Sequence, residues 1–359
     1  MNVETTMMLG HKAYMQVEIE LTPVSAMHET LELAQIVDQF GADRLGISDV
    51  VLFRDVYTTM ALCAERTHRV MIGPLVTNPY LRHPVSVAAS FATLNEISNR
   101  RMFLGIGVGS GISQLGYVKS RPSEILEEFI LMFKAVLRGD ESAFRGNYFS
   151  AEEMIIPKDI IGEVPIIIGS RSERVCKMAG RLADGVVVGT REISHSALSK
   201  YVSWIHGAAD EVGRSRNEVP ISPRVTVCIS EDRDVARKSV VLYTAHYSTL
   251  AGYDESIMEK WRYDSIRRSA SLASGWYFEP DVTYPDDLNE LVNPGLIDMF
   301  TIAGTPSDCL KKLRSLRDLG FENVSMNIAA IRRPGSSIYH GTKETLLGLK
   351  SIMPSILEI

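Results

Sequence analysis

The chain has 359 residues, of which 45% are hydrophobic and 23% charged, and its formal net charge is −6. This is the composition of a soluble globular protein. An acidic balance without a long basic run argues against nucleic acid and anionic membrane surfaces as partners.

No apolar run reaches the ~18 residues that a membrane-spanning helix needs. Residues 1–10 lack the charged start, apolar centre and small-residue cleavage site of a secretory signal, so a cytoplasmic protein is expected. Cys63, Cys176, Cys228 and Cys309 are far apart and form no CxxC pair, which fits reduced, buried thiols. The histidines show no HExxH or HxH spacing, and no metal site is expected.

Short β-branched runs alternate with longer amphipathic stretches. Residues 14–21 read as a first strand and 27–40 as a helix. Strands at 44–48, 70–76 and 101–107 follow, separated by helices at 56–65 and 84–97. A helix over 124–137 leads into a loop-rich stretch, 139–163, which is long for a connection and reads as an insertion. Further strands are predicted at 165–168, 185–188, 224–230 and 323–328, with helices at 173–182, 196–212, 233–250 and 308–319. The runs MFLGIG, PIIIG and GVVVG are apolar on both faces, as parallel strands covered by helices are. Strand and helix thus alternate eight times, which predicts one α/β domain over 1–359, a TIM (β/α)8 barrel with insertions near 139–163 and 252–293. The second insertion is rich in aromatics, including Trp261, Tyr263, Trp276, Tyr277 and Phe278. It either shapes the barrel mouth or packs on the wall or a partner subunit.

Catalytic residues of such barrels lie at the C-terminal ends of the strands. Asp49 follows the second strand. A carboxylate there can accept a hydrogen bond from a ligand or act as an acid/base group, and it can equally be a loop or helix-capping residue. After the third strand, Pro74, Pro79 and Pro84 fix the path of the segment that holds Leu75, Val76, Asn78 and His83. Gly105, Gly107, Gly109 and Gly111 follow the fourth strand, where bare backbone can approach a ligand closely. Ser110 stands where a dinucleotide-binding GxGxxG turn needs its last glycine, and there is no phosphate-loop GK[ST]. Gly169, Ser170, Arg171 and Ser172 open a helix after the fifth strand. Small residues, an arginine and free helix N–H groups favour an anion site there, with a plain N-cap at Ser172 as the other reading. Glu18 and Glu20, two apart on the first strand, point to the same side, and Glu20 lies nearer the rim. It is either a site carboxylate or half of a buried pair with an arginine.

The segments IGPLVTNPYLRHP, ATLNEISNRRMFLGIGVGSG, PIIIGSRSERVCKMAGRLADGVVVGT and IAGTPSDCLKKLRSLRDLGFENVSMN, in this order, resemble the luciferase-like superfamily of flavin and deazaflavin oxidoreductases. The TNPYLRHP form resembles the methylenetetrahydromethanopterin reductase branch, which uses the deazaflavin coenzyme F420. The resemblance implies a non-prolyl cis peptide between Leu75 and Val76 that bulges against one face of the deazaflavin ring. It implies Asp49, Leu75, Val76 and Asn78 near the ring, and Gly107, Gly109, Ser110 and Gly169, Ser170, Arg171 and Ser172 near its side chain and phosphate. Glu20 matches a strand-one acid of the reductases. Two positions depart from the sugar-phosphate dehydrogenase branch: Val50 stands in place of a histidine and Ser110 in place of an acid.

The expected function is therefore hydride transfer between F420 and a small organic substrate with a C=N, C=C or C=O bond. Asp49 or Glu20 would supply or orient a proton. The rivals are an FMN-dependent monooxygenase with a flavin reductase partner, and a non-catalytic flavin-binding relative. A homodimer is the default assembly.

Overall fold

The computed structural model describes residues 14–50, 53–109, 111–117, 120–154, 156–157, 162–250, 252–275, 279 and 282–358. In chain order the first elements are β1 (Gln16–Leu21), α1 (Met27–Gln39), β2 (Arg44–Ile47), α2 (Val56–Arg66), β3 (Met71–Pro74), α3 (Pro84–Ser98), β4 (Leu104–Ile106) and α4 (Pro122–Leu137). Next come β5 (Phe144–Arg145), β6 (Ser150–Ala151), β7 (Ile166–Ser170), α5 (Glu173–Leu182), β8 (Gly185–Val188), α6 (His195–Glu211) and β9 (Ile221–Ile229). The rest are α7 (Arg233–Ser239), α8 (Val241–Leu250), α9 (Lys260–Ser271), α10 (Leu288–Leu291), α11 (Pro294–Phe300), β10 (Thr301–Gly304), α12 (Pro306–Asp318), β11 (Asn323–Ile328) and α13 (Ile338–Leu357).

The parallel strands run β3-β2-β1-β11-β9-β8-β7-β4, and bridges Ile72↔Met102 and Thr77↔Ile106 join the two ends into a closed barrel. The TIM barrel expected from the alternation is therefore present. Along each strand, alternate side chains face opposite sides. Val17, Ile19, Leu45, Ile47, Ile72, Ile166, Ile168, Val225 and Val324 pack outward in the main core with the helices. The inward positions are different in kind. Leu75, Phe103, Ile167 and Val187 form a separate small cluster inside the barrel, while Glu18 and Glu20 are also buried and are inward-facing.

Several elements differ from the pattern reading. The 139–163 stretch holds the short antiparallel hairpin β5–β6. The predicted helix 233–250 is broken at Val240, which caps α7 before α8 begins. Strand β9 starts at Ile221, through Pro223, because its first residues pair with β8 and its later ones with β11 and β10. Strand β10 and helix α13 were not anticipated; β10 pairs with β9 off the closed path, and α13 packs on α1 and α12. Within the second insertion, α9 and α10 form, and Trp276, Tyr277 and Phe278 lie outside the described residues.

Candidate active site at the C-terminal mouth of the barrel

The turn after β3 enters the barrel rather than leaving it. The Leu75–Val76 peptide is cis, at the expected bond. Leu75 is buried and Val76 partly so. Room for them is made by missing side chains on the neighbouring strands. A Cβ on Gly46 would lie 2.6 Å from Leu75 Cβ, and one on Gly169 would lie 2.7 Å from Val76 Cγ1. A Cβ on Gly105 would meet the Pro74 carbonyl at 2.0 Å, and one on Gly107 the Gly169 carbonyl at 2.7 Å. Real Cβ atoms do not approach this closely, so these positions accept only glycine without movement. The glycine turns after β4 and β7 and the proline-rich turn after β3 therefore meet at one end of the barrel, as expected. Gly46 was not singled out from sequence; its signal was a glycine inside a strand, which marks a close backbone approach.

On the β2 side of the bulge, Thr77 Oγ1 donates to Asp49 Oδ2 at 2.6 Å. Burial raises the Asp49 carboxyl above its ordinary value, the Thr77 bond opposes that, Asp55 adds to it and Arg82 opposes it. Asn78 is buried and acts locally: its Oδ1 accepts from the backbone N–H groups of Tyr80 and Leu81 at 3.0 and 3.2 Å, an Asx turn that holds the loop. Its Cβ lies 3.0 Å from where a Cβ on Gly109 would sit, and Gly109 has φ +77°. Ser110 lies outside the described residues. His83 is structural, capping α3 by accepting from Val85 N at 3.3 Å.

At the end of β7, Ser170 and Arg171 lead into α5. Ser170 Oγ accepts from Ser172 N at 3.0 Å, and the Ser172 side chain makes no cap bond to the helix. Arg171 and Ser172 are exposed. Ser172 holds the N-cap position without a side-chain cap bond, and the first turn of α5 keeps N–H groups beside an arginine, a geometry that suits an anion.

A model of the luciferase-like monooxygenase family matches residues 7–323. The chain belongs to that family. Among curated relatives, it is 27% identical to a 5,10-methylenetetrahydromethanopterin reductase of Methanolobus tindarius, over 85% of this chain and 92% of that one. Among solved structures, it resembles the coenzyme F420 dependent tetrahydromethanopterin reductase of Methanopyrus kandleri, with a TM-score of 0.80, 21% identity and 96% and 99% coverage of the two chains. The oxygenating constituent of 3,6-diketocamphane monooxygenase from Pseudomonas putida, in complex with FMN, also shares the fold, with a TM-score of 0.68, 16% identity and 96% and 98% coverage.

In this luciferase-like protein the wall opposite the bulge is polar. Glu20 is 1% exposed and accepts from Ser48 Oγ at 2.8 Å. Its two oxygens also accept a fork from Nε and Nη2 of Arg224 on β9. The buried carboxylate–arginine reading of Glu20 is the observed one. Burial pushes its carboxyl up to about 7, against the Arg191 charge and the Ser48 bond. The Arg224 fork favours the ionised form. Glu18, below it, is raised mainly by burial, with Arg44 at 3.9 Å and Ser325 working downward.

Arg191 and the α8 aromatics were missed from sequence. Arg191 follows β8, is 2% exposed, and holds a left-handed backbone with φ +64°. Such a conformation in a non-glycine residue needs surrounding structure to hold it. Its guanidinium lies 5.0 Å from the Tyr247 ring centroid. The nearby His246 is pulled down by burial and by the Arg171 and Arg191 charges. The glycine-threonine turn before Arg191 was the only local cue.

The four cysteines are buried and free, as expected. Among the described residues, no group of three His, Cys, Asp or Glu could hold a metal ion, and no helix is long and apolar enough to cross a membrane.

Proposed function

We propose that this chain is a coenzyme F420-dependent oxidoreductase, moving a hydride between the deazaflavin and a small organic substrate with a C=N, C=C or C=O bond. The observation that carries the reading is the Leu75–Val76 bulge, seated in a ring of glycines at the mouth, in a chain similar along most of its length to F420-dependent reductases.

The residues present fit such a coenzyme. Val76 offers an apolar surface for one face of a flat ring, and Gly107 and Gly169 keep bulk away on either side of it. Ser170, Arg171, Ser172 and the N-terminus of α5 would hold a phosphorylated side chain. When bound, F420 supplies a ring carbon that donates or accepts the hydride. The protein's part is placement and proton handling. The bulge would back one ring face and leave the other toward the polar wall, where a substrate could be held against it. Asp49 would manage the proton: Thr77 occupies Oδ2, leaving Oδ1 to carry it, and burial makes protonation easier than on an exposed aspartate. Glu20 has both oxygens engaged and serves to hold Arg224 in place.

The four buried, unbridged cysteines support a reducing compartment, the cytoplasm. A homodimer is proposed as the common symmetric assembly. The test is single-turnover spectroscopy: reduced F420 bound to the protein should be oxidised by an imine or carbonyl acceptor without oxygen. Turnover only with reduced FMN and oxygen would favour the monooxygenase, and binding without turnover with any acceptor would favour a carrier or sensor.

A further inference from the structure

Arg224 sits on β9 with its side chain directed into the barrel, opposite Ser325 in the β9–β11 register. An inward arginine at that level would ordinarily be sealed. The floor below it is closed, since Glu18 and Phe103 are 2% and 0% exposed. Yet the Arg224 side chain keeps 23% exposure while its partner Glu20 keeps 1%. The guanidinium climbs to the level of Glu20, whose carboxylate also meets Ser48 at the rim. The open part of Arg224 therefore faces the mouth.

The geometry of the fork leaves one edge of the guanidinium uncommitted. Nε and Nη2 are committed to the two oxygens of Glu20. A guanidinium is planar and has two edges that can each bind two oxygens. With the side edge occupied by Glu20, the end edge, Nη1 with the second N–H of Nη2, points away from the carboxylate. Thr226, two residues along β9 from Arg224 and so on the same face, donates to Asn327 Oδ1 at 3.5 Å, and Asn327 and Tyr243 line one cavity.

We infer that Arg224 is the substrate-recognition residue of this mouth and that its end edge takes a carboxylate of the substrate. Two parallel N–H donors match the two oxygens of a carboxylate, and charge-assisted pairs of this kind are the strong ones. Glu20 is the positioning residue: it holds the guanidinium plane so that the end edge is presented without further ordering. The inference rests on the proposed function only in naming the bound molecule a substrate. The fork and the side chain's partial exposure do not depend on the coenzyme.

The test needs no coenzyme, so its failure is separate from failure of F420 binding. Purified protein is titrated by ligand-observed NMR with two matched pairs of probes, acetate against acetamide and benzoate against benzamide. The carboxylate of at least one pair should bind about tenfold tighter than its amide, the value of one strong charged hydrogen bond. The double variant Glu20→Gln/Arg224→Gln, which removes both buried charges together and so preserves the fold, should lose that preference. Arg224→Lys, which keeps the charge and loses the planar edge, should weaken it. Equal binding of both members of each pair, no binding of either carboxylate, or a preference that survives in the double variant would overturn the inference.

Discussion

The Thr77 hydroxyl donates to the Asp49 carboxylate at 2.6 Å, tying the loop after β2 to the segment that follows the Leu75–Val76 bulge. One bond thus couples the proposed proton-handling group to the backbone of the proposed ring site. Asp49→Asn keeps the size and loses the ionisable oxygen. Single-turnover hydride transfer should slow by about 10²- to 10⁴-fold, the usual worth of a positioned acid or base. An unchanged rate would remove Asp49 from the proton path.

The pH dependence follows from the same group. Burial raises the Asp49 carboxyl above 3.8, so more of it is protonated at a given pH than of an exposed aspartate. In the reductive direction the protonated form is the productive one. The rate should therefore fall as pH rises through a value above the ordinary aspartate range, and Asp49→Asn should abolish that limb of the profile. A stopped-flow pH series checks both.

The glycine ring makes a steric prediction. Gly169→Ala places a Cβ 2.7 Å from Val76 Cγ1, and Gly46→Ala places one 2.6 Å from Leu75 Cβ. Each should cost about 1–3 kcal/mol of stability as the bulge is pushed aside, and each should weaken coenzyme binding. Gly207→Ala is the control. It lies exposed in α6 with nothing within 4 Å of the new Cβ, and should raise stability by about 1 kcal/mol through helix propensity. Urea unfolding of the three variants separates these cases.

The barrel and its mouth were legible because they are written in local signals. Alternating strand and helix patterns gave eight strands, and the glycine and proline turns fell where strands end. The bulge bond itself came from the resemblance of TNPYLRHP rather than from spacing. What was not legible depended on contacts far apart in sequence. Glu20 and Arg224 are 204 positions apart, and only the closure of β1 against β11 and β9 brings them together. Arg191 carries no pattern of its own, and it matters because α8 lays Tyr247 across it. The break between α7 and α8 at Val240 has no proline or glycine to announce it. Strand β10 hides in an apolar run, TIAG, that follows α11 directly.

The Glu20–Arg224 pair gives a stability prediction. Arg224→Met leaves a buried carboxylate without its fork and should cost about 3–5 kcal/mol. Glu20→Gln/Arg224→Met removes both charges and should recover most of that loss. Denaturant midpoints of the two variants at equal slope decide it; equal losses would mean that the pair is not coupled.

The bulge and the two glycine turns are proposed to form a seat for a deazaflavin. Equilibrium titration of the purified protein with F420 and, separately, with FMN, followed by fluorescence quenching, reads this directly. Saturable one-to-one binding of F420, tighter than that of FMN and weakened by Gly169→Ala, is the expected result. Saturable binding of FMN with none of F420, or binding of neither, would contradict it.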